Sequence, residues 1–230
     1  AAAGKKWVVA VDEPGDAQHS LRPDNDAGNS HVDGRKNALW GTLMAGGAGN
    51  EWYFGYGHAH SDLTLEDFRS RDQWWDYTRY AKSFFEDFDI PFWEMTNDNS
   101  ISTASDDYGF YKEGEVYTVY LKNGGTTSLD LSAAPANEVF NVKWFDPRNG
   151  GVLQDGSVTQ VNGGGTVSLG LPPNSTNEDW AILVTSEFFV PGLAIDGVFL
   201  VNADDDSDIG PLTDGMVINL ATLESANLNV

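Results

Sequence analysis

The sequence predicts an α/β unit with parallel strands, then an antiparallel β-sandwich, then the opening of a further small β-domain. Three observations carry this. Two near-continuous apolar runs, residues 7–11 and 51–56, are each followed by an apolar pattern of helical period, as in a parallel sheet covered on both faces. Six short β-rich runs follow between residues 116 and 184, separated by Asn- and Gly-rich turns, which is how a sandwich reads. Past Ser186 two more strand-like runs appear, at residues 198–201 and 216–220.

The first strand, WVVAV, ends in Asp12-Glu13 before Pro14-Gly15 turns the chain away. A strand that merely stops finishes in neutral turn residues, whereas this one carries two acids to its tip. By alternation Trp7, Val9, Val11 and Glu13 share a face. Residues 16–33 form a polar loop. Asp33 is the expected N-cap of a helix with Leu39, Trp40, Leu43 and Met44 on its apolar side. The run Gly46-Gly47-Ala48-Gly49 ends that helix. Residues 51–56 are the second strand, and the loop GHAHSDLT leads into a helix over residues 66–88. Its predicted stripe is Phe68, Trp74, Trp75, Thr78, Ala81, Phe85 and Phe88. Two strands do not make a parallel sheet with both faces covered. Residues 1–97 therefore read as the C-terminal portion of a larger α/β domain, completed upstream or by a second polypeptide.

The segment TNDNSISTASDD reads as a polar connector. Residues 98–185 give the sandwich, with strands at 116–121, 127–131, 140–145, 158–161, 166–171 and 180–184. In VKWFD, Val142 and Trp144 share one face and Phe145 lies on the other. One face is expected inside the sandwich. The other is expected against the α/β unit, because the connector has no Pro- or Gly-rich spacer. Residues 186–230 begin the third domain.

Composition narrows the function. Thirteen basic and 35 acidic residues give a net charge of −22, a field that repels phosphate backbones, so no nucleic-acid partner is expected. No run approaches the ~18–20 apolar residues of a membrane helix, so no membrane partner is expected. The absence of Cys excludes disulfides, thiolate metal sites and a Cys nucleophile. Eight Trp, eight Tyr and twelve Phe suffice for a core and for stacking on sugars.

The segments WVVAVDEPG, GRKNALWGTLMAGGAGNEWYFGY and LTLEDFRSRDQWWDYTRYAKSFF resemble the last two βα units of clan A glycoside hydrolases, whose catalytic domain is a TIM (β/α)8 barrel. They are closest to bacterial secreted enzymes in which a collagen-binding-type β-sandwich follows the barrel. VKWFDPRNGG is similar to the motif of that sandwich. The final segment, from FLVNADDDSDIG onward, resembles the opening of a small β-domain repeated in extracellular proteins.

The resemblance implies a secreted retaining glycosidase acting on β-glycosidic bonds of a polysaccharide or oligosaccharide, with no cofactor. It places Glu13 at the tip of the seventh strand as the nucleophile. The acid/base, at the end of the fourth strand, lies outside these residues. Tyr56, His58, His60 and Trp52 are the candidate substrate contacts. His58 and His60 also read as a metal pair, but without a third ligand sugar contact is favoured. Trp52 and Trp40 read either as sugar platforms or as core. Asp24 and Asp26 read as loop surface or as hydroxyl ligands. Arg22, Arg35 and Lys36 are the nearest cations for an anionic substrate. Asp204, Asp206 and Asp208 alternate as Ca2+ ligands do, but the run is not an EF-hand, since Ile209 and Gly215 stand where that motif has Gly and Glu. The rival class is a noncatalytic carbohydrate-binding or adhesion protein on the same scaffold.

Overall fold

A computed structural model of the chain describes residues 8–12, 14, 21–55, 57, 68–189, 199–201 and 208–211. The chain divides into two units, Ala1–Pro191 and Gly192–Val230.

In the first unit β1 (Ala10–Val11) runs parallel to β2 (Gly49–Asn50), with Val11 opposite Asn50. The Ala48 N–H donates to the Val9 carbonyl at 2.7 Å and the Glu51 N–H to the Val11 carbonyl at 2.8 Å. The parallel direction agrees with the sequence. The burial does not: Val8 and Val9 are 89% and 59% exposed, and no described element covers them. The paired part of the second strand also starts at Gly49 rather than at residue 51.

Between the strands one continuous helix is built from α1 (His31–Asp33), a π-helical stretch Gly34–Leu39 and α2 (Trp40–Met44). Its N-cap is Ser30, without a side-chain cap bond, and not Asp33. Asp33 sits in the first turn, where a carboxylate complements the helix dipole, and accepts a hydrogen bond from Asn37 Nδ2 at 2.6 Å. The Trp40 N–H reaches back to the Arg35 carbonyl in the widened turn, and Arg35, Leu39 and Trp40 are all buried. A 3-10 turn, Phe68–Arg71, precedes α3 (Asp72–Glu86). The buried stripe of α3 is Trp74, Tyr77, Ala81, Phe84 and Phe85. Phe68 is exposed because it lies in the turn, off the stripe.

A 3-10 turn, Phe92–Glu94, leads into β3 (Thr96–Asn97). Then come β4 (Tyr108–Lys112), β5 (Val116–Leu121), β6 (Ser128–Asp130), β7 (Val139–Phe145), β8 (Gln160–Asn162), β9 (Thr166–Ser168) and β10 (Trp180–Ser186). Six strands form one antiparallel sheet in the order β3-β4-β5-β10-β7-β8, and β6 pairs with β9. The segment read as a connector belongs to this domain. Thr96–Asn97 pairs with β4, and Ile101 is buried in the sandwich core. The strand β4 escapes a propensity reading because Gly109 interrupts it. A Cβ there would stand 2.4 Å from the Asp98 carbonyl, so only glycine lets the Asp98 backbone pack this closely.

Strand alternation gives the large sheet two buried faces. Ile182 lies opposite Trp144 and Val119, and these side chains meet Leu129 and Leu169 inside the sandwich. The next row, Ala181 with Phe145 and Tyr120, points the other way and packs on Trp40, Phe84 and Phe85 of the helices. Trp40 stacks on Tyr120 at 4.8 Å between ring centroids, 9° from parallel. Burying a side chain such as Phe145 or Ile182 contributes roughly 1.5–3 kcal/mol. The sheet is therefore the middle layer of three, with the helices bound to it as core.

The motif DPRNGG is a clasp in this assembly. Burial opposes ionisation of Asp146, but hydrogen bonds from the Arg148 backbone, Arg148 Nε and Nη2, and Asn149 Nδ2 outweigh it and hold its pKa below the usual carboxylate range. Arg148 also lies 5.0 Å over the Trp180 ring. Gly150, at φ +65°, leaves no space for a Cβ, which would stand 2.2 Å from the Tyr80 ring on α3. The motif shapes a loop that presses on the helical layer.

Asp107 is the opposite case. It is buried, Thr127 offsets this only partly, and desolvation raises its pKa to about 6. Neither its Oδ2 nor Thr127 Oγ1 has a hydrogen bond of ordinary geometry. A carboxyl whose folded pKa is raised costs stability when ionised. The cost is absent below the unfolded pKa, grows up to about pH 6 and stays constant above. Asp107→Asn is expected to match the wild type near pH 4 and to be more stable by about 2 kcal/mol near pH 8, allowing for solvent screening. Thermal melts across that range check this. A difference that shrinks as pH rises would refute it.

In the second unit β11 (Phe199–Val201) pairs antiparallel with β12 (Asp208–Pro211), with a register shift between Leu200 and Val201.

Candidate functional site

Asp12 is exposed beyond Val11. Glu13, Tyr56, His58 and His60 lie outside the described residues, as do Asp204 and Asp206. Asp208 opens β12 opposite Val201. Among the described residues no group of three or more His, Asp or Glu is placed to hold a metal ion. None of the described helices is long and apolar enough to cross a membrane.

Because β1 and β2 are parallel, the sequences that follow them leave from the same end of the pair. The part of the post-β1 loop that is described is tightly organised there. The Leu21 N–H donates to the Tyr53 carbonyl at 3.0 Å, and Arg71 Nε donates to the Leu21 carbonyl at 2.9 Å. His31 is buried, with Nε2 2.8 Å from the Arg22 carbonyl and Nδ1 3.3 Å from Asp24 Oδ1. The other Asp24 oxygen accepts the Gln73 N–H at 2.9 Å. Asp26 accepts the Gly28 N–H at 2.7 Å and lies 3.3 Å from Arg22 Nη1. Asp24 and Asp26 are thus occupied in fixing the loop. Trp52 is half-buried and meets Trp74 edge to face at 4.4 Å.

Of the three cations singled out, Arg35 is not at the surface. It is 2% exposed and grips the fully buried Asp179 through Nε at 3.0 Å and Nη2 at 2.7 Å. Tyr120 Oη donates to Asp179 Oδ2 at 2.6 Å, and Arg35 lies 4.5 Å over the Tyr77 ring. Desolvation alone would lower the Arg35 pKa, but Asp179 more than reverses this. Desolvation and the Asp179 charge push the Tyr120 hydroxyl well above its ordinary pKa. The network joins the helix to the sheet and is closed to solutes. Sequence reading missed Asp179; its one signal is an acid set directly before the most apolar strand of the domain.

Among the described residues of the first unit, two of the clefts bear on function. An apolar one of about 340 Å3 lies between the helices and β4, lined by Leu39, Leu43, Trp52, Phe85, Phe92 and Phe110. A polar one of about 540 Å3 lies where the first helix meets the end of β5, with Lys36, Asn37, Lys122 and Asn123 on its walls. Asn123 was legible only as part of a turn, and nothing in the sequence singled out Lys122.

Residues 94–185 match the family "Putative collagen-binding domain of a collagenase". The match spans the sandwich and the turn before it. Two solved structures share the fold of a larger part of the chain. One is a glycoside hydrolase, with a TM-score of 0.55 and 16% identity, matched over 74% of this chain. The other is a glycoside hydrolase family 5 protein from Bacteroides vulgatus, with a TM-score of 0.54, 16% identity and the same coverage. The chain spans 40% of the length of each. No curated protein matches it. The chain therefore shares its fold with part of two glycoside hydrolase structures, and its sandwich is similar to the collagen-binding-domain family.

Proposed function

We propose that the chain is the C-terminal part of a secreted bacterial clan A retaining glycoside hydrolase, comprising the last two βα units of a TIM barrel and the sandwich that braces them. The observation that carries this is the parallel pairing of β1 and β2 within a fold related to glycoside hydrolases. Parallel strands end on the same side, and barrel enzymes keep their active sites at that end of the strands; this supports assigning Glu13, Tyr56, His58 and His60, which follow the two strands in sequence, to one site. The exposed Val8 and Val9 just before β1 fit a strand whose further neighbours complete the barrel.

In this reading the Glu13 carboxylate attacks the anomeric carbon as the bond to the leaving oxygen breaks. A second carboxylic acid, about 5–5.5 Å away, protonates that oxygen. The same group then takes a proton from water, which cleaves the glycosyl ester with net retention. Tyr56, His58, His60 and Trp52 contact the sugar, with only part of the Trp52 indole free of Trp74. The sandwich stiffens the helices through the shared aromatic core and the Arg35–Asp179 pair.

The test is a polysaccharide panel offered to the complete protein, with the first anomer released read by NMR. Hydrolysis with a β product is expected. An inverted product overturns the mechanism. Saturable binding without hydrolysis favours the noncatalytic carbohydrate-binding reading, which the family match of the sandwich alone would also suit.

A further inference from the structure

The cations of this acidic chain are mostly consumed internally. Lys82, Lys112 and Lys143 each pair with a carboxylate, as do Arg22, Arg35, Arg79 and Arg148. Among the described lysines, Lys36 and Lys122 have no carboxylate partner, and both line the polar cleft. They come from different layers, Lys36 from the first helix and Lys122 from the end of β5.

Their placement is built rather than incidental. Lys122 Nζ donates to Asn37 Oδ1 at 3.1 Å and lies 5.0 Å from the centre of the Tyr108 ring. This leaves its other N–H groups for the cleft. Asn37 Nδ2 donates to Asp33 Oδ1 at 2.6 Å, so the one carboxylate lining the cleft is already engaged. On the remaining walls Asn29 is spent on the loop, its Nδ2 donating to the Asp24 and Asp26 carbonyls and its Oδ1 accepting the His31 N–H. Asn123 Nδ2 donates to Asp106, which leaves Asn123 Oδ1 as the amide acceptor for a sugar hydroxyl. Two ammonium groups, neither in contact with a carboxylate, line one cleft and raise its potential locally in a protein of net charge −22, with the buried Asp107 offsetting part of the Lys122 charge.

We propose that this cleft is a glycan subsite for an acidic sugar, with Lys36 and Lys122 holding its carboxylate or sulfate. That the ligand is a glycan rather than a simple anion rests on the glycoside-hydrolase reading above; the convergence of the lysines does not. The subsite sits at the seam of helix and sandwich, so the sandwich contributes to substrate choice as well as to bracing.

Calorimetry of the full chain tests it with three probes: a hexuronate tetrasaccharide, a sulfated galactan tetrasaccharide and a neutral gluco-tetrasaccharide. One of the acidic probes is expected to bind, more weakly as salt rises, and the tighter of the two identifies the anion. Lys36→Gln and Lys122→Gln are each expected to weaken it about tenfold, the scale of one charge-assisted hydrogen bond. Lys36→Arg should retain binding. Lys36 makes no hydrogen bond or ion pair through its ammonium group among the described residues, so its variants stay informative even if Lys122→Gln alters the seam. Equal affinity for the neutral probe, unchanged affinity in both Gln variants, or binding of inorganic sulfate with neither acidic probe bound would overturn the proposal. Binding of an acidic probe by a complete protein that hydrolyses nothing would keep the subsite and reject the hydrolase.

Discussion

Replacing Asp179 with Ala is expected to destabilise the first unit by roughly 3–5 kcal/mol, the scale for removing one partner of a buried ion pair. The substitution leaves the Arg35 guanidinium 2% exposed with no carboxylate and takes away the acceptor of Tyr120 Oη. The loss measures a stranded charge more than the worth of the pair. The double substitution Arg35→Met with Asp179→Leu removes both charges and should recover most of the stability, since a well-packed apolar replacement is often neutral or better. Tyr120→Phe removes one hydrogen bond to a charged group and should cost about 1.5–3 kcal/mol. Urea unfolding of the four proteins checks this order. A loss under about 1 kcal/mol for Asp179→Ala would show that water reaches the pair.

The same variants report on how the layers are joined. Arg35 stands on the first helix and Asp179 at the start of β10, 144 positions apart in sequence. Around them Trp40, Phe84, Phe145 and Tyr120 form one aromatic cluster spanning helices and sheet. A helical layer held by such a core should unfold with the sandwich in one transition. If Asp179→Ala lowers both helical and near-UV aromatic signals at the same urea concentration, the two parts share one cooperative unit.

The sequence disclosed local pattern and hid long-range pairing. The strand β5 was legible to its boundaries because Val116–Leu121 is an unbroken β-favouring run between turn residues. The double use of the β7 faces followed from the alternation of Val142, Trp144 and Phe145, with Trp144 and Phe145 fully buried on opposite sides. By contrast β4 was hidden by Gly109, whose role is a close backbone approach visible only in three dimensions. The position of Phe68 was misread because a helical period continues through a 3-10 turn without marking it. Arg35 was read as a surface cation since nothing local distinguishes it; Asp179 makes it a core residue. The candidate site divides in the same way. The sequence sets two acids at the end of the first strand, of which Asp12 is exposed and Glu13 lies outside the described residues. The cleft holding Lys36 and Lys122 needed the fold, because its walls come from two layers.

Glu13→Gln is expected to abolish turnover by the complete protein while leaving its unfolding curve unchanged. The amide matches the carboxylate in shape, so substrate still docks, but it is a poor nucleophile and cannot form the glycosyl ester. The loss in kcat should be about 10⁴-fold or more, the scale seen when a nucleophile is removed and binding groups remain. KM should change little, because the missing interaction is made chiefly in the transition state. A small external anion separates this role from a structural one. Azide fits the space left by a nucleophile truncated to Ala or Gly, attacks the anomeric carbon from the same side as the lost carboxylate, and yields a glycosyl azide of inverted configuration. Glu13→Ala with azide should therefore recover turnover and give that product, identified by NMR. A general base would be rescued differently, since the azide would then carry retained configuration. Activity within a few fold of wild type in Glu13→Gln would remove Glu13 from the chemistry, and the strand tip would then serve only to turn the chain.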